Sequence, residues 1–129
     1  GPGSLFSSII PNLLVKGVTD AIIGSKAKKI YICNIMTQPG ETDDFTVSEH
    51  LLEVEKYLKC NIDYLVMNTG KISEKLIRKH IKKNSFVVAD DSRKLVKRTK
   101  IIRADIISNK DYVRHDPEKT SKVLFESFL

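Results

Sequence analysis

At 129 residues, with 41% apolar and 29% charged side chains, the chain has room for one domain and one core, and it lacks the hydrophobe-poor composition of a disordered protein. A formal net charge of +6 favours anionic partners. No apolar run reaches the roughly 20 residues that span a bilayer and no basic-then-apolar leader opens the chain, so a cytoplasmic protein without a membrane segment is expected.

The chain opens on Gly1 rather than methionine, and Gly1-Pro2-Gly3-Ser4 has the composition of a tag remnant as well as of a phosphate-binding turn. Ser4 can cap a helix over residues 5–14 that Pro11 shortens or kinks, and a second short helix is predicted over 18–23 with Gly24 as its C-cap. Residues 29–35 are apolar on both alternating faces, the pattern of a strand buried on both sides. After a loop from Met36 to Phe45, Thr46-Val47-Ser48-Glu49 forms a capping box, and Val47, Leu51, Val54 and Leu58 fall on one helical stripe.

A second buried strand is predicted over 63–67. The helix after it carries Leu76, Ile77, His80 and Ile81 inward and Lys75, Arg78, Lys79, Lys82 and Lys83 outward. Residues 85–89 and 101–107 are further strand candidates, and Asp116 caps a last helix that begins at Pro117 and buries Val123, Leu124 and Phe128. Alternating strands and helices predict one α/β domain over 1–129: a three-layer, Rossmann-like, mostly parallel sheet with helices on both faces. Cys33 and Cys60 match no metal or redox spacing and read as reduced core thiols.

Charge is uneven along the chain. Residues 37–55 hold six acidic side chains and no Lys or Arg, whereas residues 71–103 hold twelve basic ones against Glu74, Asp90 and Asp91. That basic stretch permits a module for nucleic acid or an acidic protein. Its single aromatic, Phe86, gives bases little to stack on, which argues against nucleic acid.

In parallel α/β sheets ligands bind beyond the carboxyl ends of the strands, which here are Asn34–Gly40, Asn68-Thr69-Gly70 and Ala89-Asp90-Asp91. Gly1, Pro2, Gly3 and Ser4 can present backbone N–H groups to a phosphate. Asn34, Thr37, Gln38, Gly40, Glu41, Thr42 and Asn68 concentrate hydrogen-bonding groups at that edge. Glu41 or Asp43 could hold a divalent cation or accept from sugar hydroxyls. His50, His80 and His115 have no zinc-type spacing, and no carboxylate pair specifies a general acid and base. Arg114 has no evident structural duty, and its guanidinium suits a phosphate.

Several strings together, Gly1-Pro2-Gly3-Ser4-Leu5 with Ile9-Ile10-Pro11-Asn12-Leu13-Leu14, Lys26-Ala27-Lys28-Lys29, Asn34 to Asp43, and Arg114-His115-Asp116, resemble the C-terminal part of the gluconeogenesis-factor (YvcK-like) family. That family is related to 2-phospho-L-lactate transferase in the CofD-like superfamily. The resemblance implies a bacterial cytoplasmic regulatory protein that binds UDP-N-acetylglucosamine and supports gluconeogenic growth and cell shape. It also implies that the family's N-terminal half, with its own Gly-rich nucleotide loop, lies outside this chain. The alternative it implies is a magnesium-dependent transferase, with Glu41 or Asp43 toward the metal; a homo-oligomer stays open. Asp44 stands where that family commonly carries Gly, and Ala89 where many members carry Tyr.

Overall fold

The computed structural model describes residues 1–128. Its frame is a parallel sheet of three strands in the order β1 (Ile30–Ile32), β2 (Tyr64–Asn68), β3 (Lys100–Ala104), with Ile30 opposite Tyr64 and Tyr64 opposite Lys100. Strand alternation sorts the side chains between two layers. Tyr31, Cys33, Leu65 and Met67 face a core made with the opening segment, α1 (Ile10–Leu13) and α3 (Val47–Leu58). Ile32, Val66 and Ile102 face the other way, onto Val123 and Leu124 of α5 (Pro117–Phe128). Helices therefore cover both faces, as the apolar-on-both-sides strand pattern requires.

The capping box at Thr46 is present: Thr46 Nα donates to Glu49 Oε2 at 2.8 Å, and the Thr46 hydroxyl accepts from the Glu49 amide. Asp116 Oδ1 likewise accepts from the Lys119 amide at 3.0 Å as α5 begins. A short α2 (Val18–Gly24) and α4 (Glu74–Ile81) also lie where expected. Both cysteines are free, Cys33 buried and Cys60 half-buried. An antiparallel pair, β4 (Ile107–Ser108) with β5 (Arg114–His115), sits beyond the carboxyl end of β3. Among the described residues no single helix is long and apolar enough to cross a membrane.

Four local expectations are corrected. Residues 5–9 form a π-helical turn running into the four-residue α1, and the Ser4 hydroxyl does not cap it. Gly24 is the last residue of α2, with Ser25 as its extended C-cap. Ile81 is exposed, so the inner face of α4 ends at His80. Residues 85–89 do not join the sheet. Their backbone is spent instead on the Met36–Phe45 loop and its flanks: Thr37 Nα donates to the Phe86 carbonyl at 2.7 Å, Val88 Nα to Ile35 at 3.0 Å, and Val47 Nα to Ala89 at 3.0 Å. The unassigned connection after them contains a short 3-10 turn, Ser92–Leu95.

Candidate functional site

The carboxyl ends of the strands open onto a cleft of about 680 Å³, within the size range of small-ligand sites. Its lining includes six of the residues singled out from sequence: Pro2, Gly3, Ser4, Asn34, Gln38 and Arg114. Three segments distant in sequence meet here because β1 delivers Asn34, the opening loop lies against it, and β5 brings Arg114 across from the far side. The side chains do the fastening. Asn34 Nδ2 donates to the Gly3 carbonyl at 2.9 Å, the Ser4 hydroxyl donates to Glu41 Oε2 at 2.7 Å, and Gln38 Nε2 donates to Glu41 Oε1 at 3.0 Å. Phe45 extends the same fastening with edge-on contacts to Phe6 and to the buried His50, at 6.2 and 5.5 Å between ring centres.

Several predicted site residues turn out to build the loop rather than line the cleft. Thr37 is buried, and its hydroxyl accepts from the Phe86 amide at 2.9 Å while its carbonyl accepts from Ser85 Oγ at 2.7 Å. Thr42 is 1% exposed, and its hydroxyl accepts from the Gln38 amide at 2.9 Å, closing the turn that carries Gly40 at a φ of +75°. Asp43 accepts from the Gly40 amide at 2.7 Å. Gly1 packs against the Ile32 carbonyl beside an apolar recess, not in the cleft.

Asn68 lies in an adjoining recess of about 140 Å³ that shares Asn34 and Ile35 with the cleft. Its amide oxygen accepts from the Gly70 and Ile106 amides, each at 3.1 Å, so it ties the strand ends together. A methyl group on Gly70 would overlap the Asp105 carboxylate and the Ile107 side chain, so only glycine fits that turn. The third expected edge, Ala89-Asp90-Asp91, is structural as well. Asp91 accepts from the Ser48 amide at 2.8 Å and the Ser48 hydroxyl at 2.5 Å, and pairs with Lys94 at 2.9 Å. Partial burial pushes its carboxyl upward, but these donors outweigh that and hold it well below the ordinary carboxylate range.

Two features of the opposite wall carry chemistry. Arg114 is exposed, and among the described residues no carboxylate pairs with it; its guanidinium lies 5.7 Å from the Tyr112 ring centre. His115, which sequence reasoning left unassigned, also lines the cleft, and its Nε2 lies 3.0 Å from the Cys33 carbonyl. Burial pushes its pKa below the usual value, so the ring is neutral near pH 7. The Arg114-His115-Asp116 string held that signal, since its neighbours on both sides already had roles.

Glu41 accepts a hydrogen bond on each oxygen and Asp43 Oδ2 accepts from the Gly40 amide, and among the described residues no three His, Cys, Asp or Glu side chains gather as a metal-ligand set, so these carboxylates serve the loop first. The opening loop leads into a short helical segment, residues 5–13, that begins as a π-turn.

The sequence pattern of the family described as 2-phospho-L-lactate transferase CofD matches residues 1–107, a span that includes the opening loop and the Met36–Phe45 loop. The chain belongs to the CofD family. Within it, the chain is 46% identical over 132 residues to a Clostridium acetobutylicum protein, covering all of this chain and 29% of that protein. It is 38% identical over 129 residues to the gluconeogenesis factor of Bacillus subtilis, covering 98% of this chain and 41% of that factor. The crystal structure of a Bacillus halodurans protein superposes with a TM-score of 0.91 at 37% identity, over 97% of this chain and 41% of that one. The CofD-family chain described here thus spans less than half the length of these relatives.

Proposed function

We propose that this chain forms one wall of a nucleotide-sugar site, with UDP-N-acetylglucosamine as the representative ligand, in a cytoplasmic regulatory protein tied to gluconeogenic growth and cell shape. The observation that carries this reading is the uncommitted Arg114 guanidinium on a cleft whose facing wall is held rigid by its own hydrogen bonds. A guanidinium that no carboxylate neutralises suits a diphosphate, which it can grip through two parallel N–H donors. Pro2 to Ser4, Asn34 and Gln38 supply the shape of the wall, and the neutral His115 sits between the two sides. The remaining length of the complete protein supplies the other wall in this reading.

Similarity to gluconeogenesis factors supports the tie to gluconeogenic growth, while membership of the CofD family keeps the transferase as the second reading. The transferase alternative has less support from this chain, because its carboxylates are committed to the loop. Thermal unfolding of the complete protein with and without UDP-N-acetylglucosamine tests the proposal. At 100 times its Kd a ligand stabilises the folded state by about 2.7 kcal/mol, a shift that is readily measured. Absence of any shift at millimolar ligand overturns the reading, and magnesium-dependent turnover replaces it with the transferase.

A further inference from the structure

At the opposite end of the strands, the segments that lead into β1, β2 and β3 enclose a groove of about 640 Å³. Lys26, Lys28 and Lys29 line it from before β1, Lys97 from before β3 and Lys100 from the first position of β3. Seventy residues of sequence separate these groups, and the parallel register that sets Ile30 and Lys100 on either side of Tyr64 is what joins them.

Two observations characterise this groove. First, among the described residues none of its five lysines has a carboxylate partner, so the groove keeps its positive charge unneutralised. Of the acids nearby, Asp63 Oδ2 accepts from the Lys29 amide at 2.7 Å, and Glu55 takes Arg98, the groove's remaining basic residue. Second, two of the lysines flank one aromatic side chain. Lys28 Nζ donates to the Tyr64 hydroxyl at 3.3 Å and lies 5.2 Å from its ring centre, while Lys100 Nζ lies 5.6 Å from the same centre. Like charges gathered in one groove repel one another, and a multivalent anion among them offsets that repulsion.

The shape selects the class of anion. Lysine ammonium groups are compact point charges suited to phosphate oxygens, and a groove of this volume matches a small molecule rather than a chain wrapping a surface. Tyr64 is already contacted edge-on by Phe128 at 4.6 Å and flanked by two ammonium groups, so it is poorly placed to stack a base. We infer that the amino edge of the sheet is a second anion site, which takes a compact polyphosphorylated ligand at Lys26, Lys28, Lys29, Lys97 and Lys100.

Calorimetric titration of the complete protein with inorganic tripolyphosphate, run beside orthophosphate, tests this. The expected result is saturable one-to-one binding, at least about tenfold tighter for tripolyphosphate, with affinity falling as salt rises. Lys28→Glu with Lys100→Glu should weaken it by tenfold or more at an unchanged melting temperature, whereas Arg114→Ala at the cleft, and Lys75→Glu with Lys79→Glu on α4, should leave it in place. No saturation below millimolar, no preference over orthophosphate, or equal weakening in the α4 variant would each overturn the proposal. Tighter binding of single-stranded oligonucleotides that grows with their length would overturn it in favour of nucleic acid.

Discussion

The two ends of the sheet present recesses of nearly equal size, about 680 Å³ at the carboxyl end and 640 Å³ at the amino end, yet their polar groups are spent in opposite ways. At the carboxyl end Asn34, Gln38, Glu41, Thr42 and Asn68 hold one another or the backbone, and a single guanidinium stands uncommitted beside them. At the amino end, among the described residues, none of the five lysines meets a carboxylate, although Lys28 donates to the Tyr64 hydroxyl and Lys29 to the Ser25 carbonyl. A prebuilt wall orients a structured ligand, because the ordering cost has been met in folding. An unneutralised lysine cluster attracts anions chiefly through charge, and its groove limits their size. Volume therefore says little about which end does what, and the state of each hydrogen-bonding group says more.

The largest expected effect comes from breaking the uncommitted part of the carboxyl end. Arg114→Ala should lower affinity for UDP-N-acetylglucosamine by about 10- to 100-fold, the loss of a charge-assisted contact, while the melting temperature stays put because no protein group depends on it. Thr42→Val attacks the prebuilt part instead: the Gln38 amide loses its acceptor in a buried turn, at a cost of about 1–2 kcal/mol in denaturant unfolding. Ligand affinity should fall along with it. If Thr42→Val left stability untouched, the claim that the loop is self-built would fail.

Smaller changes sharpen the contrast. Asp44 adopts a φ of +59°, the left-handed region where glycine carries no steric penalty. Asp44→Gly should raise stability by about 0.5 kcal/mol without altering affinity, as calorimetry of both quantities would reveal; a net loss would mean that the aspartate side chain matters more than the backbone. Last is a slope rather than a step. His50 is fully buried with Nε2 unpartnered, and burial pushes its pKa below the usual 6.5 or so. Below about pH 6.5 the unfolded chain then binds more protons than the folded one, so stability is present above that pH and declines as pH falls. His80 and His115 are shifted the same way by burial. His50→Phe should reduce the decline, and an unchanged pH profile would exclude His50 as a contributor.

Much of this architecture was readable from the chain. The capping box at Thr46 and the apolar runs at 29–35 and 63–67 are local signals whose causes are local, and they mark α3, β1 and β2. Asn34, Gln38 and Arg114, singled out because parallel sheets place ligands at their carboxyl ends and because Arg114 has no structural duty, line one cleft. What was not readable depends on partners far away in sequence. Phe86-Val87-Val88 has the same β-propensity as a true strand, but its backbone meets Thr37 and Ile35 instead of the sheet. Ser4 looks like a helix cap, yet its hydroxyl goes to Glu41, 37 residues on. Thr37 and Thr42 look like ligand-facing loop residues, and only burial reveals them as struts. The amino-edge groove was hidden for the same reason, since of the twelve basic residues of 71–103 only Lys97, Arg98 and Lys100 line it, and they meet Lys26 to Lys29 only in three dimensions.

The central claim is that the nucleotide sugar sits at the carboxyl end of the sheet, against the prebuilt wall. Hydrogen exchange of the complete protein, measured with and without UDP-N-acetylglucosamine, tests it most directly. Protection concentrated in residues 2–4, 34–38 and 113–115 is the predicted result. Protection centred instead on residues 25–29 and 96–100, with the carboxyl end unchanged, would contradict it.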